Sequence, residues 1–538
     1  METHRATTVP RILFACFGWP SGLLEVGSWA VRQRLAEVVI WQLSGRPDDD
    51  PRLVAKLLAL RPHVVGFRAE AGMLDVLRGY AGLVREHVEA EIVLGGPTAT
   101  SHPCDLLEQT RADYVFTGEA EETFAQFLRL ARLRSSKDYL PDIPGLAYRY
   151  SGRTWLNTLP ADGYGRTVVD TGGVTLSASA RPQRRCLENL TRPIPAAEVI
   201  AANRLDFSLL DGFGQPLDSL YFTGGRGCPG VCTFCSRLHG SAVRVKPAGQ
   251  LIEEIASADR AVTEGRLQVG RWPLFRWVEG SPLREREVAW AAVYDEDFFL
   301  ATRRAVEFFT LWSKSPLRER YRLSLQTNPC SLLGRDGCVH AELFSWIDRL
   351  KPMVQLGAES FHPELLARWH KRHEVAQLET VLDALDETRQ DYTVFQLLSD
   401  YDSTPFEVLD AVWLLVRAGF RHRRMRIASS PLTIPLYDSD TRRLLEFGGR
   451  LPRSGISDFA DFERPHPEWM DALAAELADL ADAELRFALE PEHRDAALFE
   501  ALAAIDRRIA ALPRSPRNDR LRLQSRWALN AAREVRFG

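Results

Sequence analysis

The chain is short of several things, and each shortage removes a class of protein. It has no apolar run of about 18 residues, the length a membrane-crossing helix needs. Its start, Met1-Glu-Thr-His-Arg, lacks the charged-then-apolar layout of a secretory signal. A cytoplasmic location with no membrane partner is therefore expected. No charge sign dominates: 68 Lys and Arg stand against 72 Asp and Glu, a formal net charge of −4. A protein that coats nucleic acid carries a basic surplus, so no nucleic-acid partner is expected. Cysteine is scarce, at 8 in 538 residues, which excludes a disulfide scaffold and turns attention to clustering. Internal repeats and low-complexity tails are absent. What remains is a length sufficient for roughly three or four compact units.

The periodicity divides the chain into residues 1–134, 135–217, 218–446 and 447–538. In the first part short apolar runs (Arg11 to Cys16, Glu37 to Leu43, His63 to Phe67, Glu91 to Leu94, Ala112 to Phe116) alternate with helical patterns, among them one with Pro51 at its first position. That alternation predicts a parallel sheet covered on both faces, with its ligand beyond the C-terminal strand ends. At those ends stand Gly18 and Trp19, Arg68, the run Gly95-Gly96-Pro97, and Thr117-Gly118-Glu119. Residues 135–217 are rich in proline, glycine and arginine and read as a connector with a small hairpin. The part from 218 to 446 alternates again, with six strands from Ser219 to Arg424 onward, as in a partial β/α barrel. The last part is Ala- and Leu-rich at helical spacing and reads as a helical cap.

The strongest local signal is Cys228-Pro-Gly-Val-Cys232-Thr-Phe234-Cys235, directly after a strand. Three thiolates at this spacing can converge on one iron–sulfur cubane and leave its fourth iron open. A zinc site is the alternative; it needs a fourth ligand, for which His239 is the local candidate. Cys16, Cys104, Cys186, Cys330 and Cys338 lack the spacing and read as structural thiols, with Cys330 the one worth testing.

The cysteine motif resembles the C-x3-C-x-aromatic-C signature of the radical S-adenosylmethionine (SAM) superfamily. With the sheet domain before it, the chain is similar to the cobalamin-binding branch of that superfamily, the class B methyltransferase type. Tyr294-Asp295-Glu296-Asp297, Gln355 to Phe361, Lys371-Arg372, Thr404-Pro405 and Ser430 to Pro435 continue the resemblance in order. It implies an α/β fold: a Rossmann-like cobalamin-binding domain, a partial (β/α)6 radical SAM barrel and a helical C-terminal domain. The implied cofactors are a [4Fe–4S] cluster on Cys228, Cys232 and Cys235, SAM, and cobalamin. Phe234, Gln326, Asn328, Glu359 and Gln396 would contact SAM. Gly18, Trp19, Arg68, Gly95, Gly96, Pro97, Thr117, Gly118 and Glu119 would contact cobalamin. The implied reaction is C-methylation of a small molecule or peptide in natural-product biosynthesis, through methylcobalamin. A non-methylating rearrangement, cyclisation or epimerisation is the alternative. An electron donor such as flavodoxin or ferredoxin would be a partner if radical chemistry operates.

Two features refine this. No histidine follows the first strand, so histidine ligation of cobalt is not expected. Arg68 ends the third strand, and a guanidinium has no lone pair for a metal; the plainer reading pairs it with Glu70 or Glu25. An arginine there resembles the tryptophan 2-C-methyltransferases of thiopeptide biosynthesis, which implies polar methyl transfer to carbon C2 of an indole. Tyr294, Asp295 and Glu279 are then candidate bases, and Arg68 itself joins the catalytic candidates.

Overall fold

The computed structural model describes residues 9–45, 47, 50–70, 73–101, 103–133, 137–157, 166–170, 173–175, 193–235, 239–273, 287–400, 402–430, 471–489 and 493–537. Glu279, Cys186 and the segment 431–435 lie outside them. The described chain forms two units: one takes residues up to Phe222 together with 239–270, the other Thr223 to Cys235 and the residues from Arg271 onward.

In the first unit β1 (Arg11–Cys16), β2 (Glu37–Gln42), β3 (Val64–Arg68), β4 (Glu91–Gly95) and β5 (Tyr114–Phe116) run parallel in the order 2-1-3-4-5. Helices α1 (Ser21–Arg32), α2 (Pro51–Leu60), α3 (Leu74–His87), α4 (Pro97–Ser101), α5 (Pro103–Gln109) and α6 (Glu121–Leu133) connect them. The central strands are buried on both faces, which is why they read as unbroken apolar runs. The Asp50 carboxylate accepts the Leu53 N–H at 3.0 Å, so α2 begins where Pro51 predicts. Strand order reverses between β1 and β3, and the crevice at such a switch point is where this class of sheet binds ligands.

The stretch 135–217 does more than connect. Strands β6 (Leu146–Tyr150), β7 (Arg153–Asn157), β8 (Arg166–Asp170) and β9 (Gly173–Thr175) continue the sheet antiparallel beyond β5, and β10 (Leu210–Asp211) pairs parallel with β2. The β6–β7 turn is Ser151-Gly152, both at positive φ (51° and 74°), the twist a two-residue hairpin favours. Three- to five-residue strands carry too little periodicity to stand out from the polar turns around them.

Helix α7 (Ala248–Thr263), which follows the cysteine motif, falls in the first unit. A buried ionic network holds it. Lys246 Nζ donates to Glu25 of α1 (3.0 Å) and to both oxygens of Glu254 on α7 (3.1 Å each). Asn203 donates to Glu25 (2.9 Å) and Gln250 to Glu254 (3.3 Å). Two buried carboxylates thus share one ammonium, and burial, only partly opposed by Lys246, pushes the Glu254 carboxyl up. Strand β11 (Leu220–Phe222) ends this unit and leads into the cysteine motif.

In the second unit β13 (Glu287–Val293), β14 (Tyr321–Thr327), β15 (Met353–Glu359), β16 (Tyr392–Leu397) and β17 (Met425–Ser430) lie parallel in chain order, with β12 (Trp272–Pro273) antiparallel against β13. Helices α8 (Thr302–Lys314), α9 (Ala341–Leu350), α10 (Val375–Glu387) and α11 (Pro405–Arg421) make the crossovers. This is the order of an open β/α barrel. Three further helices, α12 (Ala472–Leu485), α13 (Arg494–Ala510) and α14 (Pro516–Phe537), supply the expected helical C-terminal part. The contact is close: a side chain at Gly419 would lie 2.8 Å from Leu498. Arg494 donates to the carbonyls of Gly419, His422 and Met425, satisfying the C-terminal end of α11.

The Lys246 network yields a stability test. Glu254 holds its proton more tightly when folded, so its contribution to stability falls as pH rises through and above the ordinary carboxylate range. Lys246→Met keeps the volume and removes the ammonium between the two carboxylates. It should cost about 3–5 kcal/mol at neutral pH, and more at pH 8 than at pH 5, measured by chemical denaturation.

Candidate functional site

The site of the second unit starts from the acidic turn after β13. The Asp295 carboxylate is buried and fully engaged: Oδ1 accepts the backbone N–H groups of Gly224 and Gly225, at 2.7 Å each, and Oδ2 accepts Arg304 Nη2 at 2.6 Å. Glu296 accepts the N–H of Gly227 at 3.1 Å. Asp297 accepts the hydroxyls of Thr327 and Ser331, at 2.6 Å each, and burial pushes its carboxyl up. This corrects the expectation of Asp295 as a base: three donors already occupy its two oxygens, and its task is to fix the glycine run that enters the cysteine loop. Tyr294, beside it, is 43% exposed.

Within the loop, the Gly230 N–H donates to Cys228 Sγ at 3.4 Å, and a side chain at Gly230 would lie 3.2 Å from Cys228 Sγ and 3.8 Å from Cys232 Sγ. Cys228, Cys232 and Cys235 are of intermediate burial. Burial pushes Cys228 and Cys232 up, opposed at Cys228 by the Gly230 N–H and Arg372 and at Cys232 by Lys371. Among the described residues no three His, Cys, Asp or Glu side chains gather tightly enough for a single ion. A cubane makes no such demand, since each thiolate binds a different iron. His239, the candidate fourth zinc ligand, belongs to the first unit, where its Nδ1 lies 3.0 Å from Glu119. Cys16 is wholly buried, its thiol pushed up to about 12 by burial.

Phe234 anchors the loop. Its ring meets the edge of Trp369 (centroids 6.0 Å apart, 85°), the Thr233 N–H donates to the Trp369 carbonyl at 3.1 Å, and Trp369 Nε1 donates to Asp400 at 2.7 Å. Asp400 is held in turn by Arg368 at 2.8 Å. The aromatic place between Cys232 and Cys235 is thereby filled by a packing residue.

The remaining candidates line the C-terminal strand ends. Glu359 closes β15 at a φ of +66°, where the register with β16 shifts. A non-glycine residue in that region is strained, and such strain collects at binding sites. Its carboxylate is 3.4 Å from Lys371 Nζ, and Gln396 is its cross-strand partner. Lys371 is nearly inaccessible (2% of its side chain) and its ammonium lies over the ring of Phe234, 5.7 Å from the centroid. Beneath them His373 donates from Nε2 to the Ala358 carbonyl (3.2 Å); burial and Lys371 push its imidazole down to about 3, so it carries no charge. Gln326 stands beside Gln355 in register. Asn328 and Gln355 each carry a buried amide oxygen with no hydrogen-bond partner among the described residues. Gln355 and Lys371 were visible in the sequence only as members of longer motifs; their roles depend on neighbours that spacing does not reveal.

In the first unit, Gly18 and Trp19 follow β1 and Arg68 ends β3, on the two sides of the switch point. Arg68 Nη1 donates to the Trp19 carbonyl at 3.0 Å, and Nη2 pairs with Glu70 at 2.6 Å. Glu25 pairs with Lys246 instead. Gly18 has a φ of +56° and, like Gly95, open space where a side chain would start. Gly96, at φ +109°, admits no side chain, because one would lie 2.9 Å from the Ala69 carbonyl; Pro97 opens α4 behind it. The Trp19 ring packs among Phe207, Tyr221 and Phe222, and its buried indole N–H has no partner. The Thr117-Gly118-Glu119 run is engaged internally. Thr117 Oγ1 donates to the Gly145 carbonyl (2.9 Å), Gly118 N–H donates to Thr100 (2.9 Å), and Glu119 takes two bonds from Arg244 (2.9 and 2.7 Å).

A 2-1-3-4-5 parallel sheet unit, an open β/α barrel unit entered through a three-cysteine loop, and a helical end together make the fold of the cobalamin-dependent radical SAM enzymes. Three solved structures show the likeness over 98% of this chain. The radical SAM methyltransferase TsrM from Kitasatospora setae, with cobalamin and a [4Fe–4S] cluster bound, matches over 100% of its own length with a TM-score of 0.62 at 15% identity. TsrM with tryptophan substrate and the analogue aza-SAM matches over 99% of its length, at 0.61 and 15% identity. The cobalamin-dependent SAM radical enzyme OxsB with aqua-cobalamin matches over 72% of its length, at 0.61 and 12% identity. No protein-family model and no curated protein sequence matches the chain.

The Asp295 clamp gives a direct test. Asp295→Ala leaves Arg304 and two glycine N–H groups without their acceptor and should cost about 3–5 kcal/mol, seen in denaturant titration. The three loop thiols should also react faster with a thiol reagent, while buried Cys16 should not.

Proposed function

We propose that the chain is a cobalamin-dependent, radical-SAM-type C-methyltransferase that moves a methyl group from SAM to a carbon of a small molecule or peptide. The observation that carries this reading is the three-cysteine loop, clamped by Asp295 at the strand-end mouth of a barrel, in a chain that matches a methyltransferase from end to end. The residues suit the implied cofactors. Cys228, Cys232 and Cys235 are the donor set for a [4Fe–4S] cluster with one iron open. The left-handed, uncrowded Gly18, the open Gly95 and the unpartnered indole N–H of Trp19 suit a bulky, polar-edged ligand such as cobalamin at the switch point.

Cobalamin, when bound, supplies the methyl-carrying chemistry; the protein fixes distance, excludes water and selects the acceptor. Glu359 and Gln396, with the unpartnered amides of Asn328 and Gln355 and with Gln326, would bind the polar ends of SAM. Arg68 cannot ligate cobalt and fills polar space at the switch point while held by Glu70 and the Trp19 carbonyl. Tyr294 is the candidate to take a proton from the acceptor carbon, since the neighbouring Asp295 carboxylate is buried and held by three donors. Tryptophan, the substrate in the TsrM structure, is the first acceptor to try, and natural-product biosynthesis is the setting this suggests.

The test is anaerobic reconstitution of the full chain with iron, sulfide and cobalamin, followed by SAM carrying a labelled methyl group. Label on a carbon of the product supports methyl transfer; formation of 5′-deoxyadenosine without label in the product would favour the non-methylating alternative. Cys228→Ala, Cys232→Ala and Cys235→Ala should each lower bound iron from roughly four per chain and abolish turnover. Tyr294→Phe should lower kcat by about 10²–10⁴-fold and leave iron content unchanged. Equal turnover of Tyr294→Phe and wild type removes Tyr294 as the base.

A further inference from the structure

Lys371 is buried yet poorly satisfied. An ammonium has three N–H donors; among the described residues this one donates to Glu359 at 3.4 Å, and it also lies over the face of Phe234. A cation removed from water at this cost normally answers a negative charge. Glu359 supplies one, itself held in a strained backbone conformation. His373, underneath, is neutral and contributes none. The side of the ammonium toward Phe234 is the side of the cysteine loop, since Phe234 lies between Cys232 and Cys235.

We propose that Lys371 is a charge-compensating residue for the cluster held by Cys228, Cys232 and Cys235: its ammonium stabilises the reduced cluster and thereby sets the reduction potential. The inference rests on the function proposed above. Reduction adds one electron, from an external donor, to a site already bearing three thiolates, so the reduced form carries one more negative charge. A cation in a water-poor site favours that form more strongly than the oxidised one, and an anion there disfavours it. Lys371 and Glu359 therefore act with opposite sign on one equilibrium, and their close pairing makes the balance between them adjustable.

The experiment is a redox titration of the reconstituted full-length chain, followed by electron paramagnetic resonance of the reduced cluster. Lys371→Met should lower the midpoint potential, shifting the reduction equilibrium about tenfold, which is about 59 mV for one electron. Glu359→Gln should raise it, and Lys371→Arg, which keeps the charge, should stay near wild type. Opposite-signed shifts are not what a loosened loop would give. Potentials of Lys371→Met and Glu359→Gln that equal wild type, or that move in the same direction, overturn the proposal. Loss of bound iron in both Lys371→Met and Lys371→Arg overturns it too, because shape and not charge would then be required; loss in Lys371→Met alone supports it. A wild-type chain that takes up no iron overturns the cluster assignment itself, and is recognised before any potential is measured.

Discussion

The second unit depends on one buried carboxylate. Asp295 collects two adjacent glycine N–H groups on one oxygen and an arginine on the other. Burying these two N–H groups without an acceptor would cost roughly 1–3 kcal/mol each. The carboxylate removes that penalty and fixes the path of the chain into Cys228. Glu296 extends the same device to Gly227. The acidic turn after β13 is thus a socket for the cysteine loop, and the placement of all three thiols follows from it.

Both units bury charge in pairs. In the first, Glu119 pairs with Arg244, and Glu25 and Glu254 with Lys246; in the second, Asp295 pairs with Arg304 and Asp391 with Arg426. Such pairs are more costly to break than to replace. The barrel strand ends add the buried amide oxygens of Asn328 and Gln355, which have no hydrogen-bond partner among the described residues.

Much of this was legible from residue order. The parallel strands announced themselves because both their faces are buried, leaving runs such as Ile12-Leu13-Phe14 with no polar interruption. The cysteine motif was legible because its ligands are local. Two things were not. The β6–β9 meander consists of short strands set in sequence whose glycines and polar residues read as a linker. The role of Asp295 is set by N–H groups some 70 residues upstream, and an acidic residue at a barrel strand end looks the same in sequence whether it clamps backbone or takes protons. The same applies to Glu119, whose match to a ligand-binding pattern conceals an ion pair with Arg244.

Glu359 shows how selection acts on such a chain. Its left-handed backbone would be relaxed by glycine, and holding a glutamate there costs of order 1–3 kcal/mol. Random substitution in search of thermal stability would therefore tend to reward the loss of this carboxylate. A library of variants ranked by folding yield and the same library ranked by turnover should disagree most sharply at position 359.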